Sequence, residues 1–130
     1  MKMIWFVLFF FLGIGIYFSI NQTKKMSIEK DYVSPSEGLN IYNNQTHLFL
    51  DVRTKDENSD NAIPNSLLIP LQDLNDRINE LEDYKNKSII VYCASGSRSA
   101  NATTFLRRFG FKAQNLEGGM FSWNGPTTKY

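Results

Sequence analysis

The sequence predicts an α/β domain, with a mostly parallel sheet flanked by helices, behind one transmembrane helix. Three observations carry this. Short β-prone apolar runs alternate with stretches at helical spacing. The run Ser88-Ile89-Ile90-Val91-Tyr92 is the most strand-like in the chain, as expected of a central parallel strand covered on both faces. Residues 3–20, MIWFVLFFFLGIGIYFSI, carry no charge and a single serine.

The N-terminal run would be about 27 Å long as a helix, close to the hydrocarbon thickness of a bilayer. Trp5 and Tyr17 lie near its ends, where amphipathic rings settle at a membrane interface. A cleaved signal peptide is the rival reading, but no small-x-small site closes the run, since Tyr17 and Phe18 occupy the critical positions. No cysteine follows it for lipid attachment. The expected layout is a transmembrane anchor over 1–21, a juxtamembrane linker over 22–31 and a folded domain over 32–130. Lys2 precedes the span whereas Lys24, Lys25 and Lys30 follow it, and this balance favours a single-pass anchor with a cytoplasmic domain. A domain on the periplasmic or extracytoplasmic side is the alternative.

Beyond the linker, Ser34-Pro35-Ser36-Glu37 opens a short helix: serine caps, proline fits the first position, and Glu37 reaches back to the cap amide. His47–Val52 reads as a buried strand and 53–62 as a polar loop. Leu67–Ile69 reads as a brief strand between prolines. Leu71, Leu74, Ile78 and Leu81 lie at helical spacing and predict one helix over 71–84. A helix from about Ser97 to Phe109 ends at Gly110, residues 111–119 supply a last strand and a turn, and 120–123 a final helical turn.

The chain of 130 residues has a formal net charge of +1, from 14 Lys and Arg against 13 Asp and Glu. Such balance, without a basic stripe interleaved with aromatics, argues against nucleic acid as a partner. One Cys precludes an internal disulfide, and the lone His47 has no companion at metal-ligand spacing, so neither a metal nor a cofactor is expected.

That cysteine, Cys93, stands where the central strand ends and a helix is about to begin, the end of an α/β sheet at which ligand sites form. Ala94, Ser95, Gly96, Ser97 and Ser99 are small enough for the backbone to curl, so that several N–H groups converge on one point. Those amides and the positive end of the helix dipole would stabilise a thiolate. Arg98 adds a fixed charge and a bidentate fork for an oxyanion. Cys93 is the candidate nucleophile and residues 94–99 are the candidate binding loop. Asp51 and Arg53 read as a structural pair beneath that loop, Gly118-Gly119 as a tight turn, Trp123 as core or pocket wall, Arg107 and Arg108 as surface charges, and His47 as a strand-edge residue.

The stretch VYCASGSRSANATTFLRRFGF resembles the active-site region of single-domain rhodanese-family sulfurtransferases, with their Cys-x-x-Gly-x-Arg-Ser. FLDVRTKDE, AIPNSLLIP and LEGGMFSWNG are similar to further family segments in the same order, over about residues 30–126. The resemblance implies a rhodanese-like fold with a five-stranded, mostly parallel sheet. It also implies a Cys93 persulfide that takes sulfane sulfur from a small anionic donor such as thiosulfate and passes it to a thiol or protein acceptor. Four residues separate Cys93 from Arg98, the short loop that the resemblance assigns to sulfur transfer; related phosphatases and arsenate reductases use one residue more. Asn61-Ala62, Asn65-Ser66 and Asn58 depart from the family pattern, outside the cysteine loop. Altered packing or partner surface is expected there, and a non-catalytic membrane-tethered interaction module is the alternative function.

Overall fold

The computed structural model describes residues 29–130 and, nearer the N-terminus, the helical residues 4, 7, 9, 11–14 and 16. Most of the transmembrane span expected over 3–20 and most of the linker lie outside the described residues. Among the described residues, no helix is long and apolar enough to cross a membrane.

The domain starts with a two-residue strand, β1 (Tyr32–Val33), followed by helix α1 (Pro35–Asn44). Ser34 caps α1 in a full capping box: Glu37 N–H donates to Ser34 Oγ at 3.2 Å, and Ser34 N–H donates to Glu37 Oε2 at 2.8 Å. Strand β2 (Leu48–Asp51), helix α2 (Lys55–Asp60), β3 (Leu67–Leu68), helix α3 (Leu74–Arg77), β4 (Ser88–Tyr92), helix α4 (Ser97–Arg108), β5 (Lys112–Leu116) and a final turn of helix, α5 (Gly119–Ser122), complete the order. The sheet runs β1-β5-β4-β2-β3 with every pairing parallel. Its central strand is β4.

Strand periodicity explains the two cores. Along β4, Ile89 and Val91 face one side while Ile90 and Tyr92 face the other. The first side packs against Ala102 and Leu106 of α4 and against Leu74 and Leu81. The second packs against Val33, Phe49, Leu116 and Trp123, with Tyr42 edge-on to both Phe49 and Trp123 at ring separations of 5.7 Å and 5.8 Å.

Two expectations are corrected. Residues 53–62 are not simply a loop, because Thr54 and Glu57 form a second capping box that starts α2. Residues 71–84 are not one helix: a 3-10 turn (Leu71–Asp73), α3 and a longer 3-10 stretch (Ile78–Tyr84) succeed each other. The leucine spacing is kept and the segment still covers the core. Asp73, Asn75, Asp76 and Asn79 are poor α-helix formers that compete for the backbone hydrogen bonds, which leaves the chain wound more tightly at both ends.

Candidate active site

Strand β4 delivers Cys93 to the carboxyl edge of the sheet, and α4 begins four residues later. Between them Gly96 adopts a left-handed conformation, φ +100°, which side-chain-bearing residues rarely take. The loop therefore turns back on itself, and Gly96 N–H donates to Cys93 Sγ at 3.1 Å. Ser99, buried in the first turn of α4, donates its hydroxyl to the same sulfur at 3.3 Å.

The loop is fixed from behind. Met120 N–H and Phe121 N–H donate to the carbonyls of Cys93 and Ala94 at 2.9 Å and 3.0 Å, and Asn115 Nδ2 donates to the Gly96 carbonyl at 3.1 Å. Gly118-Gly119 makes this approach feasible, because a Cβ on Gly119 would stand 2.3 Å from the Cys93 carbonyl oxygen. The expected tight turn is thus the support of the cysteine loop.

Two opposed effects set the acidity of Cys93. Burial, the largest, pushes the thiol up, since the residue has 0% exposure. The Ser99 hydroxyl and the backbone N–H groups of Ser99, Gly96 and Ser95 pull it down, and together they win, leaving the thiol below its ordinary value. The sulfur is buried yet supplied with donors that favour its anion.

Arg98 does not hold its fork open. Its guanidinium donates to Glu57 Oε2 at 2.9 Å and Oε1 at 2.7 Å, a bidentate ion pair joining α4 to α2 with both side chains about one-third exposed. Arg98 and Thr54 hold the Glu57 carboxyl down to about 2 against its burial, and Glu57 raises the Arg98 guanidinium in turn. Glu57 was missed in the sequence. The Thr-x-x-Glu spacing at 54–57 was the available signal, for a cap rather than for a partner of Arg98. Of the other loop residues, Ala94 is half-buried, while Ser95 and Ser97 are exposed with hydroxyls 3.4 Å apart.

Beside the loop, Asp51 and Arg53 form a buried pair at 2.7 Å. Arg53 also donates to the Asn61 carbonyl at 2.6 Å, and Asn58 Nδ2 donates to Asp51 Oδ2 at 3.0 Å. Ser66 lies 2.7 Å, hydroxyl to hydroxyl, from Tyr92. Of the residues that break the family pattern, Asn58 and Ser66 join this polar framework through their side chains, and Asn61 only through its backbone carbonyl. Trp123 lies in the second core, and Arg107 ties down the carbonyls of Ala113 and Glu29 instead of being a free surface charge.

A five-stranded parallel α/β sheet whose central strand ends in a buried, donor-cradled cysteine defines the class of domain to which the chain is compared. Residues 34–126 match the rhodanese-like domain family, and the chain belongs to it. YtwF of Bacillus subtilis (strain 168) is 37% identical over 78 residues, which are 60% of this chain and 74% of that protein. A protein of Allochromatium vinosum named sulfurtransferase is 34% identical over 77 residues, 58% of this chain and 70% of that one. The crystal structure of a rhodanese-like domain protein from Staphylococcus aureus superposes with a TM-score of 0.71 at 32% identity, covering 78% of this chain and 99% of that one. The chain is thus a homologue of single-domain sulfurtransferases with one buried cysteine.

Proposed function

We propose that the chain is a membrane-anchored sulfurtransferase that carries sulfane sulfur on Cys93. The thiolate attacks the outer sulfur of a small anionic donor such as thiosulfate. A Cys93 S–S bond forms, the donor's own S–S bond breaks, and the electron pair leaves with the departing group, sulfite in the case of thiosulfate. A thiol or protein acceptor, or cyanide, then attacks the outer sulfur of the persulfide and Cys93 Sγ leaves as thiolate. No net oxidant or reductant is consumed. The apolar, uncharged run at 3–20 supports the anchor.

The observation that carries the reading is the pair of donors on Cys93 Sγ, from Gly96 N–H and the Ser99 hydroxyl. They favour both the attacking thiolate and the thiolate released when the acceptor takes the sulfur. Incubation with thiosulfate followed by intact-mass measurement is expected to add one sulfur atom to the wild-type chain and none to Cys93→Ser. No gain with thiosulfate or an organic persulfide would refute the reading.

The complete burial of Cys93 favours a second reading, the non-catalytic membrane-tethered interaction module. A thiol that titrates like a free cysteine in an alkylation–pH profile supports the module. One that titrates lower supports the enzyme.

A further inference from the structure

The loop carries one cation, and that cation is already paired. Between Cys93 and α4 the residues Ala94, Ser95 and Gly96 are uncharged, as is Ser97 at the helix start, leaving Arg98 to attract an anion. Its Nη1 and Nη2 each donate to Glu57, at 2.9 Å and 2.7 Å, and what remains of its pull already acts on Cys93. The nearby Arg53 is likewise engaged, by Asp51 at 2.7 Å. Neither arginine therefore brings an uncompensated positive charge to the site, while the resident sulfur is favoured as an anion. A donor with two negative charges meets the thiolate without a free counter-charge; a donor with one charge or none meets half of that repulsion or less.

Resting on the sulfurtransferase reading, we propose that Glu57 is a specificity-determining residue that turns the site against dianionic thiosulfate and towards organic persulfides of low charge. Glu57 stays ionised at any pH at which the protein would work, so the neutralisation is permanent. The reaction with such a donor is balanced. Cys93 Sγ bonds to the terminal sulfur of R–S–S–H, the donor's S–S bond breaks, and R–S leaves with the electron pair and takes up the proton.

Glu57→Gln tests this on the full-length protein. Glutamine keeps the length and an oxygen for the Thr54 N–H, which the carboxylate accepts at 3.0 Å, so the cap of α2 is retained while the charge is lost. Cys93 loading is read by intact mass against donor concentration, with thiosulfate as one probe and 2-aminoethyl persulfide, whose ammonium offsets its persulfide charge, as the other. The half-saturating thiosulfate concentration is expected to fall about tenfold in Glu57→Gln, and that of the persulfide to change less than about twofold. An unchanged or higher thiosulfate value, or an equal shift for both donors, would overturn the proposal. Wild-type protein supplies a second measurement should the variant fold poorly. Raising salt from about 0.05 M to about 0.5 M should not weaken thiosulfate loading, since no free cation attracts the dianion; a clear weakening would also overturn it. If neither donor loads wild-type Cys93, the sulfurtransferase reading itself fails, and this inference with it.

Discussion

At the scale of residues the question is how a cysteine with no exposure comes to have a lowered pKa. Desolvation alone would make Cys93 an inert thiol. Four hydrogen-bond donors reverse that, and the largest contribution among them is the Ser99 hydroxyl. Its removal therefore has a definite consequence. Ser99→Ala keeps the size needed at a fully buried position and should raise the Cys93 pKa, moving the alkylation–pH profile to higher pH. At neutral pH the alkylation rate should fall about tenfold, in line with one hydrogen bond to a charged group. Circular dichroism would show the fold retained; an unmoved profile would mean that the amides suffice alone. The cysteine and the loop that curls around it were legible in the sequence because a cysteine, a glycine and a helix start stood in one short stretch. The state of Arg98 was not legible, since its partner lies 41 positions away in the chain and meets it only through the packing of α2 against α4.

At the scale of elements, strong local signals were readable and weak ones were overruled by packing. Strand β4, apolar from Ile89 onward, and the Ser34 capping box of α1 appear as the sequence predicts. Helix α2 escaped notice because Lys-Asp-Glu-Asn-Ser-Asp has no apolar period; its cap and its attachment to Arg98 hold it instead. The stretch 71–84 has the right period and the wrong composition, so its leucines reach the core from mixed 3-10 and α turns. The Gly118-Gly119 turn shows how strictly an element can constrain the site. Gly119 has φ +52°, and a methyl group there would meet the backbone carbonyls of Cys93 and Ala94, which are held by the Met120 and Phe121 N–H groups. Gly119→Ala is expected to destabilise the domain by about 3 kcal/mol and to lower its melting temperature by more than about 10 °C. Thermal unfolding by circular dichroism would measure this. A change below about 1 kcal/mol would mean that the loop is free to shift.

At the scale of the whole molecule, the parallel sheet separates the two ends of the domain by function. The chain enters beside the first half of β5: Gln114 Nε2 donates to the Lys30 carbonyl at 2.8 Å, and Arg107 reaches the Glu29 carbonyl at 3.3 Å. Lys112, at the start of β5, is in register with Ser88 at the start of β4. Cys93 follows the last residue of β4, five residues and about 17 Å further along the strand direction. Since all strands are parallel, every β-to-α connection that frames the cysteine lies at that far end. An anchor at 3–20 would thus hold the domain by the opposite end from its reactive sulfur, and the Cys93 loop would face the aqueous phase. Under the sulfurtransferase proposal, the acceptor would then be a water-soluble thiol or protein rather than a molecule dissolved in the bilayer. In unsealed membrane sheets, a charged thiol reagent should modify Cys93 at the same rate, within about twofold, as in detergent solution. If the lipid slows the charged reagent by more than about fivefold while an apolar reagent is unaffected, the loop lies against the bilayer and this placement of the domain is wrong.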